Sequence, residues 1–363
     1  MSWFLAFAGF AVLVILHELG HFTAAKAVGM RVEKFSLFFP PTLFSKKVGE
    51  TEYAIGSIPA GGYVRISGMN PSDDLPEEVR DRAYHAQPVW KRIVVIAAGP
   101  AVNLVLAFVL LWVFFYAIGP QEATRHVSAV EKGMPAEKAI KPGDTLVAVD
   151  GVRGPPARLS RQIRSHHCAG KPHDGCKATT PATLVLKRDG KLIKVKLTPV
   201  YDTDVPGAKP RTRLGFGFAA DGPHVTYPVG QAFTTAGGAF WDITKQTVSL
   251  PARLINPEQR KQISGVVGSY EATRQTILAD VGDAVGILAI ISLSLAIVNL
   301  FPFLPLDGGH IFWAIVEKVR RKPVSLRVME RAGVVGFMLV ILLFLVGLSN
   351  DIGRLTGEGF KVR

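Results

Sequence analysis

Residues 3–21 read Trp3-Phe4-Leu5-Ala6-Phe7-Ala8-Gly9-Phe10-Ala11-Val12-Leu13-Val14-Ile15-Leu16-His17-Glu18-Leu19-Gly20-His21, an uncharged apolar run ending in two histidines around a glutamate. On a helix the histidines of H-E-x-x-H stand one turn apart on one face. Neutral imidazoles there can bind Zn2+ while the glutamate takes a proton from water. The short pattern also occurs by chance, as a helix with two surface histidines. Its apolar flank changes the weighing, because an Asp, Lys or Arg at the centre of a bilayer costs about 2.5–3.5 kcal/mol. Ionisable groups kept in such a span imply a chemical role.

The chain has 363 residues, 48% hydrophobic, with a formal net charge of +13 and a mean hydropathy of +0.26. This is the apolarity of a membrane protein on a basic chain, with room for two or more domains. Further apolar runs occupy 93–118, 284–306 and 334–348. At about 20 apolar residues per crossing, four spans are expected. The last is short, and a re-entrant or interfacial helix is its alternative. Arg31, Lys34, Lys46, Lys47, Arg65, Lys91 and Arg92 follow the first span, and Lys318, Arg320, Arg321, Lys322, Arg327 and Arg331 follow the third. Both loops belong in the cytoplasm. The long segment 119–283 escapes the charge rule and is expected outside, with both termini. The first helix has no basic n-region and no small-residue cleavage site, so it reads as a retained span. The positive charge serves topology and anionic lipid headgroups, and no patterned basic and aromatic face argues for nucleic acid.

A catalytic zinc site usually takes three protein ligands. The best third candidate is Asp307 in Asn299-Leu300-Phe301-Pro302-Phe303-Leu304-Pro305-Leu306-Asp307-Gly308-Gly309. Pro302, Pro305 and the glycine pair break the helix, and irregular backbone at membrane depth must be buried in protein or line a wet cavity. A helix end with a capping aspartate is the plainer reading. At about 1.5 Å per residue, His17 lies roughly 20 Å along the first span and Asn299 similarly far along the third. Both spans run inward, so His17, His21 and Asp307 can meet in the inner half of the bilayer. His310 ranks as a packing residue or one that touches a ligand. Gly99, Asn103 and Ala107 recur every four residues, a small-residue stripe suited to close helix packing, with the Asn103 amide able to bridge helices.

His17-Glu18-Leu19-Gly20-His21-Phe22, Gly99-Pro100-Ala101-Val102-Asn103 and the segment from Asn299 to Gly309 resemble, in this order, three signatures of the bacterial site-2 proteases. These are intramembrane zinc metalloproteases of regulated intramembrane proteolysis. The resemblance implies a Zn2+ cofactor held by His17, His21 and Asp307, Glu18 as catalytic base, and Asn299 as a residue holding the substrate backbone. The implied fold is a multi-pass α-helical membrane protein with about four transmembrane helices, a membrane-associated β-hairpin and an extracytoplasmic α+β PDZ-like domain.

The hairpin is expected over 52–66, two apolar and aromatic stretches around Pro59-Ala60-Gly61-Gly62. It resembles a family hairpin whose role is strand addition to unwound substrate, with Gly61, Gly62 and Tyr63 as substrate-binding residues. A departure stands at Phe38-Phe39-Pro40-Pro41, where the family usually has a Gly-Phe-Gly-Pro-like stretch. Residues 120–200 are similar to one PDZ domain, closed by a hairpin at Asp189-Gly190. Its groove would take a peptide end or exclude substrates with large ectodomains. The chain's two cysteines, Cys168 and Cys176, lie in an insert with His166, His167 and His173. A loop disulfide leads there, ahead of a second metal site or free thiols.

The expected organisation is a first span over 1–27, a cytoplasmic, membrane-associated loop over 28–92, and a second span over 93–118. The PDZ-like domain is followed by a linker with an interfacial amphipathic helix over 201–283, a broken third span over 284–317, and a fourth over 332–349. Ile263-Ser264-Gly265-Val266-Val267-Gly268 resembles a family segment that has proline at 266, and 73–81 reads as a solvated acidic loop. The function implied is an inner-membrane zinc endopeptidase cutting single-pass transmembrane proteins, such as anti-sigma factors or signal-peptide remnants. The rivals are an inactive PDZ scaffold, which would not need Glu18, and a zinc permease, which would need a polar path through the outer half of the membrane.

Overall fold

Helix α1, Ser2–Ala27, has no internal proline, is apolar without interruption from Trp3 to Leu16, and ends where Gly29 takes φ +85°. The Met30 N–H bonds the Ala25 carbonyl and the Gly29 N–H that of Lys26, at 2.9 and 3.1 Å, the pattern of a Schellman stop. The computed structural model describes residues 2–69, 74–203, 205, 210–256, 260, 263, 265–322 and 324–356. The chain divides into two compact units, Met1–Ile118 with Thr226–Arg363, and Gly119–Val225. Ser264 and Asp73, the latter opening the acidic loop, lie outside the described residues.

In the first unit α1 is followed by β1 (Val32–Val48) and β2 (Thr51–Ile66), antiparallel partners turning at Gly49, φ +61°. The hairpin is therefore larger than the 52–66 expected, and Pro59-Ala60-Gly61-Gly62 is not its turn but runs on as strand. The ribbon also folds back on itself. Lys34 stands opposite both Arg65 and Glu52, and Leu37 opposite both Gly62 and Ile55. The reversal lies at Phe38, whose φ of +70° belongs to the region glycine favours. Phe38 begins the stretch that departs from the family's glycine-containing one. Gly56 permits the fold, since a Cβ there would lie 2.1 Å from the Phe39 carbonyl oxygen. Leu43, Phe44 and Ile58 on the ribbon remain exposed, which suits an apolar surrounding.

A short helix, α2 (Glu77–Arg80), precedes α3 (Val89–Val113), which is extended by a π turn to Ile118. Helices α1 and α3 approach closely at Gly20, where a Cβ would lie 2.6 Å from the Ala98 carbonyl oxygen. Past the second unit come α5 (Val229–Val248), α6 (Leu250–Ile255), α7 (Val266–Ala279), α8 (Asp283–Asn299), α9 (Asp307–Arg320) and α10 (Leu326–Thr356). The stretch expected as an interfacial helix, α5, buries Ala236 with Leu111 and Ala289, so part of its apolar face is covered by protein. Ala107 of α3 packs with Leu293 and Ile297 of α8. The N-terminus of α7 is held by the buried Asp351 of α10, which accepts from Gly265 N–H at 3.1 Å and Gly268 N–H at 2.7 Å.

Three described helices are long and apolar enough to cross a membrane, Trp3–Ala27, Val89–Ile118 and Arg327–Gly353, while Asp283–Asn299 is apolar but shorter. The expected single broken span over 284–317 is two helices. Residues between Asn299 and Asp307 leave the helix, because Pro302 and Pro305 cannot supply backbone donors.

The second unit carries β3 (Val127–Val130), β4 (Thr145–Val149), α4 (Pro156–Arg164), β5 (Ala182–Arg188), β6 (Lys191–Leu197), β7 (Val200–Asp202), β8 (Arg211–Arg213) and β9 (Phe216–Phe218). Strands β4, β5 and β6 form an antiparallel sheet whose alternation puts Ala182, Leu184 and Leu186 in the core with Leu146, Val149, Leu159 and Ile163. Asp189 and Gly190 turn β5 into β6 with φ of +50° and +79°. The unit reaches Val225, beyond the expected boundary at 200, because β8 pairs with β7 and β9 with β3. Sequence neighbours alone do not reveal the return of β9 to β3.

Candidate metal centre

The i, i+4 spacing on α1 puts His17 and His21 on one face, with both side chains almost fully buried. Their Nε2 atoms are 3.3 Å apart. Asp307, the first residue of α9, brings Oδ2 to 3.2 Å from His17 Nε2 and 3.3 Å from His21 Nε2. Two local features seat it. The N-terminus of α9 favours a negative charge. Gly308 and Gly309 let that terminus lie against the preceding loop, since a Cβ on Gly308 would be 2.2 Å from the Leu300 carbonyl oxygen and one on Gly309 2.5 Å from Leu304 N.

The three atoms form a nearly equilateral triangle. Zinc–ligand bonds of about 2.0–2.1 Å at tetrahedral angles put ligand atoms roughly 3.3 Å apart, which matches these edges. Asp307 Oδ2 is also a buried atom with no hydrogen-bond partner among the described residues, the condition expected of an oxygen meant for a cation. His21 is turned the right way: its Nδ1 lies 2.9 Å from the Val95 carbonyl oxygen, so Nδ1 carries the proton and Nε2 is bare. The donor set fits Zn2+.

Around this triangle lies a cavity of about 400 Å³ lined by His17, Glu18, His21, Gly61, Gly62, Tyr63, Asn299, Asp307 and His310 among others. Asn299 Nδ2 is 3.5 Å from His17 Nε2. Residues 61–63 of β2 border the cavity close to the base candidate, since a Cβ on Gly62 would stand 2.9 Å from Glu18 Cγ. Cys168 and Cys176 are in the other unit and form a disulfide, which leaves no free cysteine.

Two contacts were beyond the reach of the sequence. Gly99 faces the ring of His21, with a built Cβ 2.2 Å from Nε2, so its small size serves a candidate ligand as well as helix packing. Asn103, fully buried, puts its amide 3.4 Å from His17 Nδ1. The Gly99-to-Asn103 signature was the available signal, and only the fold gives it this meaning.

The peptidase family M50 model matches residues 5–343. The chain is 30% identical to a Brucella suis protein named as a zinc metalloprotease, over 94% of this chain and 92% of that protein. It is 29% identical to metalloprotease MmpA of Caulobacter vibrioides, over 95% and 93% of the two chains. With the regulator of sigma-E protease RseP of Escherichia coli it shares 28% identity, over 95% and 96%. The chain therefore belongs to peptidase family M50 and is a zinc metallopeptidase of the site-2 protease type, a membrane protein built around apolar helices.

Proposed function

We propose that this enzyme is an intramembrane endopeptidase that cuts a transmembrane segment of a single-pass protein, such as an anti-sigma factor or a signal-peptide remnant, in the inner half of the bilayer. The observation carrying this reading is the triangle of His17 Nε2, His21 Nε2 and Asp307 Oδ2, edges 3.2–3.3 Å, on helices of an apolar bundle. These three residues hold the zinc. When bound, Zn2+ supplies Lewis acidity that polarises the scissile carbonyl and makes water a nucleophile near neutral pH. Glu18 takes the proton of the attacking water and passes it to the amine nitrogen as the C–N bond breaks. Asn299 holds the substrate backbone.

A peptide bond in a helix is shielded by its own hydrogen bonds, so the substrate must be cut in extended form. In this reading Gly61, Gly62 and Tyr63 of β2 pair with the unwound segment by strand addition. Four spans put both termini and the Gly119–Val225 unit outside the cytoplasm, with lipid against the exposed apolar faces. That unit acts as a PDZ-like domain. A groove between α4 and the β8–β9 stretch, lined by Ile163, Arg164, Arg211, Leu214 and Phe216, is of a size to take one side chain of a peptide end.

The test incubates detergent-purified protein with zinc and a transmembrane-helix substrate, comparing wild type with Glu18→Gln. Loss of cleavage with zinc content retained is expected. Equal cleavage by both proteins removes Glu18 as the base.

A further inference from the structure

We infer that Asn103 is a positioning residue that sets the tautomer and orientation of His17, so that helix α3 orients both candidate zinc-binding imidazoles. The inference rests on the ligand assignment proposed above. An imidazole that offers Nε2 to a metal carries its proton on Nδ1, and the acceptor of that proton fixes the ring. For His21 the acceptor is the Val95 carbonyl of α3, at 2.9 Å. Nδ1 of His17 faces the Asn103 side-chain amide, 3.4 Å away on the same helix and two turns further along.

An amide can serve in either sense, because its two ends are nearly the same size and exchange by a half-turn. With Nδ2 toward the ring, the proton of His17 would sit on Nε2 and block that atom as a ligand. In that orientation Asn103 Oδ1 is buried with no hydrogen-bond partner among the described residues. The half-turn brings this unused acceptor to the His17 Nδ1–H and leaves Nε2 bare within the triangle. Asn103 does not line the cavity and is 0% exposed, so it touches the ligand rather than substrate. The backbone is anchored where the amide must work, as Ser292 Oγ of α8 donates to the Asn103 carbonyl at 3.0 Å. Close packing alone would be met by serine or alanine, whereas a buried amide with unused polar atoms is costly in an apolar bundle.

The test uses the full chain in detergent, with zinc affinity read by chelator competition and ligand geometry by the visible spectrum of the Co2+-substituted protein. Asn103→Leu, close in shape but without an acceptor, is expected to weaken zinc binding about 10–100-fold and to alter the Co2+ spectrum. Asn103→Asp, which restores an acceptor, is expected to bind zinc within about threefold of wild type. Wild-type affinity and spectrum in Asn103→Leu, while His17→Ala loses zinc, overturn the role of Asn103 and leave the ligand set standing. If His17→Ala keeps wild-type affinity, the ligand set itself fails and the inference with it. Should Asn103→Leu not fold, a folded Asn103→Asp protein that has lost zinc overturns the inference, and one that retains it supports it.

Discussion

Gly99 leaves the space in which the His21 imidazole lies: a Cβ on Gly99 would stand 2.2 Å from Nε2 and 2.6 Å from Cε1. The ring cannot simply retreat, since its other nitrogen is tied to the Val95 carbonyl. Gly99→Ala should therefore displace His21 while α3, which gains helix propensity, stays folded. We expect zinc content to fall below stoichiometric and activity to drop roughly 100-fold or more. Metal analysis and far-UV circular dichroism check both halves. Gly238→Ala is the control, as a Cβ there meets nothing within 4 Å among the described residues.

Gly62 poses a different question, because its added Cβ would lie 2.9 Å from Glu18 Cγ and 3.0 Å from the Ser36 carbonyl oxygen. The methyl group of Gly62→Ala would intrude between the β2 edge and Glu18, the candidate base, without reaching the triangle. The expected result is a fall in kcat/KM of about 10–100-fold at unchanged zinc content. Zinc loss in this variant would contradict the separation of edge and metal.

Arg92 of α3 forms a two-pronged ion pair with Glu317 of α9, at 2.9 and 2.7 Å. Glu317 shares its helix with Asp307, so the pair pins the element that carries the third candidate ligand. Removing one partner leaves the other partly buried and unpaired, and Arg92→Ala should destabilise the protein by roughly 2–4 kcal/mol. Thermal unfolding in detergent measures this. The exchange Arg92→Glu with Glu317→Arg should recover part of the loss, and no recovery would show that charge pairing is not the cause.

In the second unit, two hydrogen bonds from Arg188, each 2.7 Å, hold the Asp144 carboxyl below its ordinary value, helped by the Lys141 N–H at 2.8 Å. A depressed carboxyl adds stability that is fully present above the unfolded value of about 3.9 and is lost as pH falls through the folded one. Asp144→Asn should be less stable than wild type by about 1.5–3 kcal/mol at pH 7, with the gap closing in acid below the folded value. Hydrogen exchange of β4 and β5 between pH 7 and pH 3 reads this difference. A gap that widens in acid would reverse the sign.

Half of the candidate centre was legible in the chain because its cause is local. The helical period sets His17 and His21 on one face, and the Pro and Gly residues around Asp307 mark a break where irregular backbone must face a cavity. The ribbon was legible only in part. Strand β2 carries its own apolar pattern, but its long partner β1 contains Phe38-Phe39-Pro40-Pro41, which reads as loop, and pairing between distant segments leaves no local periodicity to find. The reach of the second unit to Val225 escaped for the same reason.

By itself, then, the sequence determined the apolar helices, the paired histidines with Glu18 between them, and the break that frees Asp307, since each follows from spacing along one segment. Only the tertiary structure decided that Gly99 makes room for His21, that Asn103 faces His17, and that the His–His–Asp triangle closes at 3.2–3.3 Å. Those relations join residues of α1, α3 and α9, and distances between helices depend on packing, which no repeat within a single helix encodes.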